Sequence, residues 1–351
     1  MRWPKVFIII LNWNGWKDTI ECLESLYAIS YPNYQVIVVD NNSQDDSLAR
    51  INAYARGEIV IESSLFAQSS RPQGLKATQL AREQAECVSV CREEVMTEHV
   101  SQALQNEQLL IIQNEQNFGY SEGNNIGMRY ALKAAADYIL LLNNDTVVHE
   151  DFLTELVRVA EEDDSIGAIG PKICFYDAPQ VIESTGARIN FWTGRGIALN
   201  WEKADDLLDS SSAQKLLSVD YISGACFLIP RRIIEEVGGL DPLYFLYGEE
   251  LDWCIRISKA GYRITCDLDS KIWHKGMAST SKDARFSQYY LERNRVIYMR
   301  KYATTLQFMS FLFYYPFFYT ALLLKRRRAR DIPYFVRGFI DGFVKDISSS
   351  S

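Results

Sequence analysis

The chain has 351 residues, enough to bury a large core in one big domain or two smaller ones. Charged residues are 23% and hydrophobic ones 48%, the balance of a globular protein rather than a disordered one. A net charge of −8 argues against a nucleic-acid-binding footprint for the chain as a whole.

Val6 to Leu11 is almost purely aliphatic, the pattern of a strand buried on both faces, and it ends in Asn12-Trp13-Asn14-Gly15. A helix with apolar Ile20, Leu23, Leu26 and Tyr27 follows. A second buried strand, Val36 to Val39, ends in Asp40-Asn41-Asn42-Ser43. Another helix and a strand near Glu58 to Ile61 come next. This β-α-β-α-β alternation predicts right-handed parallel crossovers and an open α/β sheet, in which ligands sit beyond the carboxyl ends of the strands. Residues 63–107, rich in Gln, Glu, Ala and Ser, break the rhythm and read as a helical insertion on the sheet edge.

The sheet resumes at Leu109 to Gln113. The Gly/Asn-rich stretch Asn117 to Gly127 then opens a helix through Ala135; its glycines permit close backbone approach, and its amides suit a sugar or diphosphate. The strand Tyr138 to Leu142 runs into Asn143-Asn144-Asp145-Thr146. A lone Asp at such a lip can hold a divalent cation against a ligand's phosphates. The same residues also suit a turn that caps a helix from about Glu150. Ile166 to Cys174 reads as a strand, 180–201 as a hairpin, Asp205 to Ser212 as a polar loop and Val219 to Ile229 as strand-like. Arg231 to Val237 is a short helix closed by Gly238-Gly239.

Tyr247-Gly248-Glu249-Glu250-Leu251-Asp252 crowds acids into the first turn of a helix. Such acids favour the helix dipole and can cap it. They exceed what capping needs, and crowded carboxylates raise one another's pKa, which suits a general base at Glu249 or Glu250. Asp252, four residues before Arg256, reads as structural. His274, one of three histidines, ends a short apolar strand. It fits either a satisfied structural imidazole or a ligand completing a Mn²⁺ or Mg²⁺ shell.

Thr304 to Leu324 is dominated by Phe, Tyr and Leu and is followed by Lys325, Arg326, Arg327, Arg328 and Arg330. Three readings stay open: an interfacial helix on anionic lipid, a membrane span, or a buried helical hairpin with the tail Tyr334 to Val344. The seven cysteines are odd in number and scattered, and no secretory signal precedes the first strand. Reduced thiols in a cytosolic protein are expected. Cys87 and Cys91 have no nearby pair of partners, which argues against zinc.

In order and context, Val6–Gly15, Val38–Asp45, Asn117–Gly127, Leu141–Thr146, Tyr247–Arg256 and Trp273–Thr280 resemble the inverting glycosyltransferases of family 2, particularly the rhamnosyltransferase-like branch. The resemblance spans about 1–62 and 108–300. It implies the GT-A fold, an α/β class with a Rossmann-like mixed sheet and flanking helices. It also implies a domain 1–300 carrying the 63–107 insertion, and a helical, membrane-associated region 301–351. Trp13 matches an aromatic that stacks on the nucleotide base and Asp40 the acid that reads its edge. Asn117 and Asn124 match the donor-binding loop. Asn144 and Asp145 match the metal-binding acidic pair, with Asn in place of the first acid, and His274 matches a second metal ligand. Glu250 occupies the position of the catalytic base, more often Asp in the family, which leaves Glu249 open beside it. Arg293 matches a diphosphate contact.

The implied reaction moves a sugar, such as rhamnose from dTDP-rhamnose, from a nucleotide-diphosphate donor to a hydroxyl of a surface polysaccharide or polyprenyl-linked acceptor. A divalent cation, Mn²⁺ or Mg²⁺, is the implied cofactor, at the cytoplasmic face of the cell membrane. Two other readings compete. A nucleotidyltransferase would place a Lys/Arg-bearing Gly-rich loop where Asn12-Trp13-Asn14-Gly15 stands. A non-catalytic nucleotide-sugar or glycan-binding scaffold would not need Glu250, Asp145 and His274 together. Donor sugar, acceptor, linkage and oligomeric state are not encoded in spacing.

Overall fold

The computed structural model describes residues 3–61, 63, 65, 75–87, 109–205, 215–276 and 284–347. The first half alternates β1 (Val6–Asn12), α1 (Trp16–Leu26), β2 (Tyr34–Asp40), α2 (Ser47–Arg56), β3 (Ala77–Ala81), α3 (Arg82–Cys87), β4 (Leu109–Gln113), α4 (Gly119–Lys133) and β5 (Tyr138–Asn143). Then come β6 (Thr146–Val148), α5 (Phe152–Glu162), β7 (Ile166–Phe175), β8 (Ile182–Ser184), the hairpin β9 (Ala187–Asn190) and β10 (Arg195–Ala198), and β11 (Leu216–Ser218). The remainder is β12 (Cys226–Pro230), α6 (Arg231–Val237), α7 (Glu249–Lys259), β13 (Arg263–His274), α8 (Ala284–Tyr302), α9 (Thr305–Lys325) and α10 (Ile332–Val344).

Strands order as β11-β13-β7-β12-β5-β1-β2-β4-β3 in one sheet, with β6 on β13 and β8 on β7. β5, β1, β2, β4 and β3 run parallel. β12 is antiparallel to both β5 and β7, so the sheet is mixed. Along β1, Val6, Ile8 and Ile10 join the core on one face, with Ile20 and Leu23 of α1 and Leu153 and Leu156 of α5. Phe7 and Ile9 join the other, with Ile126 of α4 and Trp253 and Ile257 of α7. Burial on both faces is what the aliphatic run predicts.

Several expectations are corrected. Residues 58–61 form no strand. The outer edge is instead β3, inside the stretch expected to be helical, paired in register with β4. Its sequence Ala-Thr-Gln-Leu-Ala lacks an aliphatic run because an edge strand buries little. The rest of 63–107, Cys91 included, lies outside the described residues apart from 63, 65, 75 and 76 and the short α3. Of the strand-like 219–229, Cys226 to Ile229 belong to β12, while 219–225 is the loop leading into it, preceded by β11. Most of the polar loop 205–212 lies outside the described residues. Asp205 itself is buried between Lys172 Nζ at 2.5 Å and Lys271 Nζ at 2.6 Å. The glycines of α4 serve packing: a Cβ on Gly127 would stand 2.8 Å from Ile9 and one on Gly123 2.6 Å from Leu11. Their absence of side chains lets α4 lie close on β1.

A third cluster joins Val296, Ile297 and Met299 of α8 to Phe311, Tyr315 and Leu323 of α9 and Phe335 of α10. Helix α9 starts in a capping box, with Gln307 N–H donating to Thr304 and Thr304 N–H to Gln307. It is long and apolar enough to cross a membrane. Only Phe311, Tyr315 and Leu323 of it are buried. The six described cysteines are all free thiols.

Candidate active site

β1, β2 and β5 are neighbours in parallel register, so Asn12, Asp40 and Asn143 come to one edge of the sheet. Asp40 Oδ1 accepts from Asn12 Nδ2 at 2.7 Å and from Ser43 Oγ at 2.6 Å. Ser43 Oγ in turn accepts the Asn14 N–H at 2.9 Å. Asp40 therefore ties two strand ends together and shapes the loop that presents Trp13, which is 42% exposed. Asn41 holds the next loop: its Nδ2 donates to Asn117 Oδ1 at 2.8 Å and to the Gly119 carbonyl at 3.0 Å. Asn144 Nδ2 donates to Thr19 Oγ1 at 3.1 Å.

Asn144 and Asp145 form the turn between β5 and β6. They cap no helix, because α5 starts later, after Asp151. β6 pairs with β13, setting Thr146 opposite His274, and Lys275 N–H donates to the Asp145 carbonyl at 3.0 Å. That pairing brings His274 Nε2 to 3.3 Å from Asp145 Oδ1. The other ring nitrogen, Nδ1, lies 2.9 Å from Glu183 Oε2 on β8. Burial lowers the imidazole pKa, but the hydrogen bonds to Asp145 and Glu183 outweigh it and push it up to about 10.

Glu249 and Glu250 open α7 after Tyr247 (φ +69°) and Gly248 (φ +88°). The N-cap residue, Gly248, has no side chain with which to cap the helix. Glu249 is buried, and its Oε2 has no hydrogen-bond partner. Burial and then Glu250 push its carboxyl well above the usual range. Burial also raises Glu250, opposed by the Gly248 N–H, which donates to its Oε2 at 3.1 Å. Asp252 differs. Burial pushes it up, but Arg256 and Lys301 outweigh that and hold it below its usual range, with Arg256 Nε at 2.8 Å and Lys301 Nζ at 2.6 Å.

These groups line one cleft of about 550 Å³, floored by strand ends. Of the residues singled out in the sequence, Trp13, Asn117, Asn144, Asp145, Glu249, Glu250 and His274 line it. Asp40, Asn124 and Arg293 do not. Asn124 Nδ2 donates to the Tyr120 carbonyl at 2.9 Å within α4. Arg293 is buried, donates to Asn294 Oδ1 and the Leu243 carbonyl, each at 2.8 Å, and faces the Tyr290 ring; it anchors the loop before α7. Sequence reasoning missed Glu183, Asn41, Tyr120 and Gly224. Tyr120 OH donates to the Gly224 carbonyl at 2.8 Å across the cleft.

A carboxylate oxygen facing an imidazole nitrogen, with a second carboxylate on the far nitrogen, suits a divalent cation. Among the described residues no third such group joins them, so a cation held by Asp145 and His274 would complete its shell with ligand oxygens.

A family model described as Glycosyl transferase family 2 matches residues 7–79, and one described as Glycosyltransferase like family 2 matches residues 82–298. The chain is 26% identical over 185 residues to a low-salt glycan biosynthesis hexosyltransferase of Haloferax volcanii, covering 52% of this chain and 57% of that one. It is 27% identical over 157 residues to a rhamnosyltransferase of Escherichia coli K12, covering 42% and 57%. The chain thus spans about half the length of these relatives. A mannosyltransferase of Pyrobaculum calidifontis, solved in complex with GDP-Man and Mn²⁺, superposes with a TM-score of 0.54 at 14% identity, over 100% of this chain and 89% of that one. The shared architecture is the GT-A fold, and with family models matching most of its length the chain belongs to glycosyltransferase family 2.

Proposed function

We propose that this chain transfers a sugar from a nucleoside-diphosphate donor to a hydroxyl of a cell-envelope glycan, with inversion and a divalent cation, Mn²⁺ or Mg²⁺. The observation that carries this reading is the meeting, in one cleft at parallel strand ends, of the Asp145–His274 pair and two glutamates with raised pKa. Trp13 at the cleft wall offers a face for the nucleobase. Asn117 and Asn144 line the same space and offer amides to the donor. A cation bound by Asp145 and His274 supplies counter-charge for the departing diphosphate.

The two glutamates are assigned different roles. Glu249, buried with an unpartnered oxygen, keeps a proton; Glu250, facing the cleft and supported by the Gly248 N–H, carries the charge. Glu250 accepts the proton of the acceptor hydroxyl as that oxygen bonds to the anomeric carbon. The bond from that carbon to the diphosphate oxygen breaks, and its electron pair leaves with the diphosphate. No covalent sugar–enzyme intermediate is required. Rhamnose from dTDP-rhamnose is the donor favoured by similarity to the E. coli rhamnosyltransferase.

The exposed apolar side of α9 and the basic run after it support a place at the cytoplasmic face of the membrane, where a polyprenyl-linked acceptor would be met. The domain division proposed is a transferase unit over 1–300 and a membrane-facing helical unit over 301–351.

The test is a thermal-shift panel of nucleoside diphosphates and their sugars with and without Mn²⁺, followed by transfer assays on Glu250→Gln. The expected result is a metal-dependent shift for one nucleotide, retained in Glu250→Gln, with turnover reduced about 10²- to 10⁴-fold. Undiminished turnover in that variant rejects Glu250 as the base.

A further inference from the structure

Glu250 and Tyr247 line two cavities. One is the donor cleft. The other, of about 220 Å³, adjoins it at these two residues and is walled also by Tyr221, Leu291, Arg295 and Tyr298. Tyr247 is a bulky residue held at positive φ, a conformation that persists only when its surroundings impose it. Asn294 does so: its Nδ2 donates to the carbonyls of Leu246 at 2.8 Å and Tyr247 at 2.6 Å. The junction at which the two cavities meet is thus a built feature of the fold.

We propose that the second cavity is the acceptor subsite and that it receives a single neutral pyranose ring, a proposal that rests on the transferase reading above. In a displacement with inversion the incoming hydroxyl approaches opposite the leaving diphosphate and within hydrogen-bond reach of the base. Donor and acceptor therefore occupy two spaces that meet at that base, as these two cavities meet at Glu250. Its volume is less than half the 550 Å³ of the donor cleft, which suits a single sugar ring better than a sugar nucleotide.

The walls suit a sugar. Tyrosine rings offer flat apolar faces with a polar tip, matching the alternating C–H and O–H surfaces of a pyranose. The charge is already balanced. Arg295 sits beside the Glu292 carboxylate at 3.4 Å, donates to the Gly194 carbonyl and to Tyr298 OH, and covers the Tyr315 ring at 4.7 Å. Among the described lining residues no unmatched cation waits there for a phosphate. The Gly194 turn also accepts from Tyr298 OH at 2.6 Å and rests on Phe311 of α9. The cavity and the apolar helix accordingly form one structural unit.

The experiment fills the cavity from α8, with Leu291→Trp and the smaller Leu291→Phe, at a position that does not line the donor cleft. Three readouts are taken on the full chain: the nucleotide-induced thermal shift, hydrolysis of the donor by water, and transfer to octyl pyranosides of glucose, galactose, rhamnose and N-acetylglucosamine. The expected result is unchanged nucleotide shift and hydrolysis, with the KM for the accepted octyl pyranoside raised at least tenfold. If Leu291→Trp loses the nucleotide shift through misfolding, Leu291→Phe decides on the same criterion. An unchanged KM in a folded variant overturns the subsite, as does a wild-type enzyme that hydrolyses donor yet transfers to none of these pyranosides. A wild type that neither binds nucleotide nor hydrolyses any donor overturns the transferase reading itself, and the subsite with it.

Discussion

Glu183 reaches His274 from a strand 91 residues earlier in the chain, and no local pattern announces it. Its neighbours Ile182 and Ser184 pair with β7, the strand that also carries β13, so sheet topology alone delivers its carboxylate to the ring. Carboxylates that hold the far nitrogen of a ligating imidazole set its orientation and basicity. Glu183→Gln is expected to weaken Mn²⁺ binding about 10- to 100-fold by calorimetry, with nucleotide binding in the absence of metal unchanged. Equal Mn²⁺ affinity would remove Glu183 from the site. The residues legible in the sequence were those whose crowding was local: the acids at the start of α7 and the amides ending β1 and β5. Asp40 and Arg293 show the limit of that legibility. Asp40 ends β2 and Arg293 lies within α8, and their side chains are consumed by neighbours that only the folded chain brings to them.

Strands buried on both faces were readable as aliphatic runs, which is why β1, β2, β4 and β5 stand where the sequence puts them. The short edge strand β3 was not, since backbone pairing holds it and its composition favours helix. β13 was read only at its end. It is twelve residues long and shifts register between Asp267 and Lys271. Asp267 is fully buried in that irregularity, and its Oδ2 has no hydrogen-bond partner. Burial pushes its carboxyl up to about 6. Its folded pKa thus exceeds the unfolded value of about 3.9, so the native state binds the extra proton between these values. Its contribution to stability is greatest at low pH and is lost as pH rises through about 6. Asp267→Asn should therefore raise the melting temperature at pH 8, by roughly 1–3 kcal/mol of stability, and bring little gain at pH 4. A gain of equal size at both values would refute the assignment.

At the scale of the molecule, the fold class followed from element order, because alternating strands and helices leave few ways to cover a sheet. The place of the last helices did not. Their aromatic sequence fits a span, an interface or a core equally well. In the structure, α9 turns Phe311 and Tyr315 inward and leaves Leu306, Phe313 and Phe317 more than two-thirds exposed. α10 leaves Ile340 and Val344 exposed as well. Lys325 at the end of α9 and Arg326 and Arg327 directly after it are all exposed. An apolar face beside exposed cations is what an anionic bilayer surface binds. The chain is expected to sediment with phosphatidylglycerol vesicles but not with phosphatidylcholine ones. Changing those three cations to Gln should weaken binding about 100-fold, at about 1 kcal/mol for each. Indifference to lipid charge would exclude this mode.

The pairing of β6 with β13 has a further consequence for biosynthesis. Asp145 and His274 come from opposite halves of the chain and meet only when the last strand of the sheet is laid against β6. A nascent chain still short of β13 already holds Trp13, Asn117 and Asn144 but has no imidazole to set beside Asp145. Translation of the final strand is therefore the step that completes the Asp145–His274 pair.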